Sequence, residues 1–267
     1  MLLPVIGKFT RFVERLLPER GALLSRCLDP SALATPIAAV EAVRRTVARA
    51  LQAVCRSVDA GLAAAAGGTT VSLPKDAVSV PEAADALRQA QVFMSDVNGP
   101  PDSDDEQRRL TSTLHALDHA SRMAETAGGE AGLGSAGNGP VDARAVRLCA
   151  EAMRNAVAIA GEVAAPPDAR HHAARIESGR EASGPSEAGG MLGAPAVPAE
   201  EALVELERCA KALDDLKRTH RGETLSAVAN GTMTAAEAMA RVDMVRALET
   251  LAHHAWRSAA HLLDRGG

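Results

Sequence analysis

The chain has no tyrosine, one tryptophan and three phenylalanines, so aromatic residues make up only 1% of its 267 positions. Base-stacking platforms are therefore scarce. With 29 basic against 34 acidic side chains and a net charge of -5, the positive field of a nonspecific nucleic-acid binder is also missing. Nucleic acid is not an expected partner. The four cysteines, Cys27, Cys55, Cys149 and Cys209, are scattered with no CxxC pair, which fits reduced, structural thiols in a cytosolic compartment. No run approaches the ~20 apolar residues of a membrane-spanning helix, and the opening MLLPVIG is shorter than a signal-peptide core of roughly 7–15 residues. What the chain has in quantity is alanine, within a hydrophobic content of 46%. Alanine favours helix and buries little area per residue, so closely packed helices over thin cores are expected.

Apolar residues at three- and four-residue spacing predict six helices, three in each half of the chain. The first starts at Thr35-Pro36, a cap followed by proline in the first turn, carries Val40, Val43, Val47, Leu51, Val54, Val58 and Leu62, and ends at Gly67-Gly68. The second begins at Pro81 with Ala84, Leu87, Gln91, Met94 and Val97 inward. The third runs from Asp104 to Ala127 with Leu110, Leu114, Leu117 and Met123 inward. The fourth spans Val141 to Val163 on Val146, Cys149, Met153, Val157 and Ala160; the fifth runs from Pro198 or Glu200 to Ala229 on Leu203, Leu206, Ala210, Leu213 and Leu216. The sixth, Thr234 to Leu263, has a capping box of Thr234 with Glu237, and an apolar face of Met239, Val242, Val245, Leu248, Leu251, Ala255, Ala259 and Leu262. The expected architecture is all-α, two antiparallel three-helix bundles over 35–127 and 141–263.

The connecting segments have distinct compositions. Residues 128–140 form a glycine-rich linker; its Gly132, Gly134 and Gly137 match GxGxxG only formally, with a helix where a dinucleotide loop needs a strand. Residues 166–199 are rich in Ala, Gly, Pro, Ser and Glu without apolar periodicity, so they are expected to form a long disordered loop within the second unit, His171-His172 included. Residues 1–34 are basic and amphipathic: Phe9, Phe12, Val13, Leu16 and Leu17 interleave with Lys8, Arg11 and Arg15. Two readings are open for this arm, a surface helix packed on the first unit and a segment, Met1–Pro18, lying on a membrane surface.

The residues with chemical potential concentrate on the third and sixth helices. A His-Ala-x-Arg element occurs in each, His119-Ala120-Ser121-Arg122 and His254-Ala255-Trp256-Arg257. His115 and His119, four apart beside Asp118, share one helix face and are two candidate metal ligands, with Glu249, His253 or His254 as the source of a third. No third ligand is fixed by local spacing, so capping and inter-helix roles are the preferred reading. Glu249 to His253 is one residue longer than the Glu-x-x-His of a ferritin-like di-iron site. Arg218, His220, Arg221, His254 and Arg257 are candidate anion contacts, or a solvated helix end. No serine sits in a nucleophile elbow. An enzyme is not expected, nor a cofactor.

Leu114 to Glu125, LHALDHASRMAE, resembles the segment that closes a three-helix unit in PhoU-type phosphate-regulatory proteins, with Asp118-His119 at its Asp-His. Arg15 to Pro36 together with His220 to Leu262 resembles the cytoplasmic, PhoU-like tail of bacterial sodium/phosphate cotransporters, with its "rLLP…LD…tP" connector and closing "hR…tL…G…a…l…H…R" run. The resemblance implies a non-catalytic regulatory domain at the cytoplasmic face of the plasma membrane. It would tune phosphate uptake by touching the symporter's membrane domain, in cis or in trans. MLLPVIG would then be the stub of a last membrane helix. It also implies a role in partner or anion contact for His115, Asp118, His119, Arg122, Arg221, Glu249, His253, His254 and Arg257. PhoU proteins bind metal through a carboxylate pair four residues apart on the third helix of each unit. Here Leu114 replaces the partner of Asp118, and His253 replaces the partner of Glu249, so no metal is expected at those positions. A stand-alone helical adaptor, binding a protein partner through a bundle face, is the alternative, and a homodimer is left open.

Overall fold

Two capping boxes show how locally the helices are specified. Ser79 Oγ accepts from the Glu82 backbone while the Glu82 carboxylate takes the Ser79 N–H, and Thr234 with Glu237 repeats the device. The computed structural model, which describes residues 24–67, 78–97, 99, 101–129, 140–165 and 198–266, has six α-helices, three of them started by a side-chain cap from Ser79, Ser103 or Thr234. They are α1 (Pro36–Gly67), α2 (Val80–Ser95), α3 (Asp104–Gly128), α4 (Pro140–Ala164), α5 (Ala199–Ala229) and α6 (Ala235–Leu262). Two 3-10 turns, Ser25–Cys27 and Pro30–Ala34, precede α1. Among the described residues there is no strand. The protein is all-α, as its periodicity predicts. The expectations for the Met1–Pro18 arm, the glycine-rich linker and the 166–199 loop fall on residues outside the described ones, apart from their edges.

Packing joins the helices both within and between the halves. α1, α2 and α3 pack on one another, and so do α4, α5 and α6. The halves meet along two seams, α1 on α4 and α3 on α6, so first packs on first and third on third. A single apolar core runs through both units. The α1 stripe predicted from spacing is all buried, from Val43 and Val47 at 0% exposure to Val40 at 6%. Each such side chain contributes about 1.5–3 kcal/mol relative to exposure, as an upper bound. Arg44 ties α1 to the end of α6, donating to the Leu262 carbonyl and pairing with Asp264 at 3.4 Å.

Three inward assignments need correction. On α2 the buried face is Ala83, Ala86, Leu87, Ala90 and Phe93, while Gln91 is exposed and Ala84, Met94 and Val97 are half-buried. The small alanines let α2 lie close on its neighbours, and that gain in contact outweighs the larger but sparser stripe. Leu114 on α3 and Met239 on α6 are likewise exposed, and Met244 takes the inward place.

The cysteines bear out their reading as free, structural thiols. Cys55, Cys149 and Cys209 are buried on α1, α4 and α5, and Cys27 is half-buried. Burial pushes the Cys149 thiol up to about 12 and that of Cys209 to about 11, and it raises Cys55 as well, with neighbouring thiols and carboxylates adding to the shift. At pH 8 the thiolate fraction of Cys209 is then roughly one in a thousand, far too small for ready disulfide exchange. Ellman's reagent at pH 8 should therefore titrate one thiol per native chain quickly, Cys27, and the other three only after guanidinium unfolding. A second fast thiol would mean that one of the three helices opens.

Candidate functional site

The α3–α6 seam is built from small residues. Ala116 is fully buried on α3, Ser258 on α6, and the Ser258 hydroxyl donates to the Ala116 carbonyl at 2.9 Å. The backbones approach there because nothing larger than a hydroxymethyl group lies between them. Antiparallel packing then sets the positions on either side of Ala116 against those around Ser258. The long side chains at these positions are mostly imidazoles.

His119 and His254, the equivalent residues of the two His-Ala-x-Arg elements, meet with their Nδ1 atoms 3.1 Å apart. Along the seam the His115 ring stacks on that of His261 at 4.9 Å between centroids, and His261 lies 5.9 Å from His119. His253 stands edge-on to His119 at 6.3 Å and to Trp256 at 6.0 Å. Burial, and then the neighbouring His254, push the His119 imidazole down to about 4, with Asp118 opposing and His261 and Arg257 assisting. His254 and His261 are lowered too, first by burial and then by His253 and Arg257 respectively. The His119 and His254 rings are thus neutral at pH 7, and the 3.1 Å contact needs one Nδ1 to carry a proton and the other to be bare.

The remaining predicted residues surround this core unevenly. Asp118 and Arg122, both exposed, pair with each other at 3.0 Å. Arg257 lies 3.5 Å from the His261 Nε2 and 3.4 Å from the Gly266 carbonyl, with its guanidinium 5.6 Å from the Trp256 ring centre. Glu249 is turned away to α5, where Lys217 holds it at 2.8 Å. Among the described residues its carboxylate does not converge with the histidine nitrogens into a set of three ligand atoms, though it lines one cleft with His253. Arg221 is exposed on α5 and shares none of these contacts. His115, Arg257 and His261 also line an open cleft of about 790 Å³ together with Arg108, Arg109 and Asp264.

The candidate anion cluster does not assemble as expected. Arg218 is occupied by Asp214 and Asp215. His220 is buried, its Nε2 3.1 Å from Asp142 Oδ1, with Arg241 Nε 3.8 Å from the other carboxylate oxygen. Thr224 lies against the same imidazole at 3.5 Å. This buried polar group links the start of α4 to α5 and α6. A signal for it was available: His220 and Thr224 continue the inward stripe of Leu213 and Leu216 at four-residue spacing. A second gathering of ligand-type atoms, Glu151, Glu205 and Cys209, is bridged by Arg208, which reaches Glu205 at 2.8 Å and Glu151 at 3.3 Å.

Among the described residues no helix is long and apolar enough to cross a membrane. No protein-family model, no curated protein and no solved structure matches this chain.

Proposed function

We propose that the chain is a non-catalytic, PhoU-like regulatory domain that works with a sodium-dependent phosphate symporter and tunes phosphate uptake from the cytoplasmic face of the membrane. The observation that carries the reading is the contact of His119 with His254. The two short elements that suggest an internal repeat occupy corresponding places on the third helices of two units, and those helices pack on each other. A duplicated three-helix unit is the organisation that the PhoU resemblance implies. The exposed Asp118–Arg122 pair and the cleft beside Arg257 lie next to that seam, and they are the surfaces on which a partner would act.

The test is phosphate uptake in cells lacking this chain, complemented with wild type or with the His254→Ala, Arg257→Ala double variant. Deletion is expected to change sodium-dependent uptake and its response to phosphate supply. Wild type should restore both, and a folded double variant should not. Uptake that is indifferent to deletion would sink the proposal. The exposed apolar side chains Val204, Leu225 and Met239 would then direct attention to the adaptor reading, a bundle face that binds some other protein.

A further inference from the structure

Five of the eight histidines of the chain, His115, His119, His253, His254 and His261, gather on the α3–α6 seam. His119 sits at the centre, with three other imidazoles around it. Among the described residues none of the five rings is held by a carboxylate or a backbone carbonyl, the usual partners that consume imidazole N–H groups. His261 carries a further unpaired atom: the residue is 6% exposed and its Nδ1 is buried without a hydrogen-bond partner. The central nitrogens, Nδ1 of His119 and Nδ1 of His254, therefore have only each other as partners, with no carboxylate or carbonyl to hold either ring in one tautomer.

The spacing of the central pair fits a single metal ion. Two imidazole nitrogens bound at 2.0–2.1 Å to one ion, at angles between octahedral and tetrahedral, are about 2.9–3.4 Å apart. His119 Nδ1 and His254 Nδ1 are 3.1 Å apart. The donor set also selects among ions. Imidazole suits zinc, copper and nickel, whereas calcium and magnesium require oxygen ligands. The nearby carboxylates are engaged elsewhere, Asp118 with Arg122 and Glu249 with Lys217.

We propose that the α3–α6 seam binds one divalent transition-metal ion through Nδ1 of His119 and Nδ1 of His254, the proton shared between them giving way as its ring takes the Nε2–H tautomer by exchange with solvent. Water fills the other positions, because among the described residues no third histidine, cysteine or carboxylate atom converges on the pair; His261 is turned to Arg257 through Nε2 and lies against Gly266 through Nδ1. The site does not use the carboxylate positions of the PhoU pattern, and it does not depend on the regulatory reading. Its consequence is mechanical. One ligand comes from each half of the chain, so the ion would fasten the two third helices together.

The experiment is zinc titration of the full, tag-free chain by calorimetry, with magnesium as the control ion. One zinc per chain is expected, with no binding heat from magnesium. His171→Ala with His172→Ala, which removes the other neighbouring histidines, should leave the affinity unchanged. His119→Ala and His254→Ala should each weaken it by more than the roughly tenfold that loss of an outer-shell contact costs. Cobalt should give a visible d–d absorption in wild type that either single variant abolishes. Should either variant fail to fold, the imidazole nitrogen resonances of the wild-type chain decide: those of His119 and His254 must shift on zinc addition. The proposal is overturned if those two resonances stay in place, if zinc binding survives both single variants, or if the His171, His172 double variant alone removes it. None of these outcomes bears on the uptake assay.

Discussion

Asp142→Ala is expected to lower the unfolding free energy by about 1.5–4 kcal/mol, the sum of one buried donor left unsatisfied and a lost first-turn acidic group. The Asp142 side chain is 2% exposed and that of His220 6%, so water cannot take over the lost contact. Removal leaves the His220 Nε2 without its acceptor and the Arg241 guanidinium without its carboxylate. It also strips an acidic group from the first turn of α4, where the helix dipole favours negative charge. Asp142→Asn keeps an oxygen acceptor for His220, so its loss should be smaller, about 0.5–1.5 kcal/mol. Urea unfolding followed by far-UV circular dichroism measures both. At roughly 2–4 °C per kcal/mol for a chain of this size, the alanine variant should melt about 3–16 °C lower. A drop under about 1 kcal/mol would show that the pair is wet and not part of the core.

This pair also marks where reading the chain residue by residue stops working. The α1 stripe and the Thr234–Glu237 box were legible because helix periodicity and capping are local rules, written within a few residues. Asp142 and His220 are 78 positions apart, and no local rule pairs them. Their burial was half-visible, since His220 lies on the inward stripe of α5, but a histidine among Arg218 and Arg221 reads more readily as part of a basic patch. On α2 the difficulty was alanine. Leu87 is inward as its spacing predicts, but a stripe that continues through Ala90 and Phe93 and one through Gln91 and Met94 both have helical period, and which one faces the core depends on how the neighbouring helices approach. The exposed Leu114 and Met239 were misplaced for the same reason.

The candidate site was legible in parts. His119, His254 and Arg257 were picked out by the repeated His-Ala-x-Arg element, His115 by its spacing from His119 and His253 as a further ligand candidate, and the structure brings them to one seam. The contact between the two repeats, 135 positions apart, depends on the packing of third helix on third helix, which periodicity alone leaves undetermined. Arg221 falls outside the cluster because it faces solvent, whereas Glu249 lies at its edge, lining one cleft with His253 and Trp256 while paired with Lys217.

Ser258→Leu should destabilise the protein more than Ser258→Ala, and the difference measures how tightly the seam is packed. The alanine variant loses only the hydroxyl bond to the Ala116 carbonyl, which keeps its own helical N–H partner, so a cost of about 0.5–1.5 kcal/mol is expected. Leucine loses the same bond and adds three carbons at a position with 0% exposure between two helices. Overpacking of a filled site costs typically ~1–3 kcal/mol, since α3 and α6 must separate or side chains must leave their preferred rotamers. Separation has a second readout, because His119 and His254 lie on either side of the same seam. Ser258→Leu should weaken zinc binding along with stability, whereas Ser258→Ala should leave zinc binding at the wild-type level. Equal stability and equal zinc affinity in the two variants would mean that the seam has room to spare, and that close approach of α3 and α6 is not what sets the 3.1 Å contact between the two imidazoles.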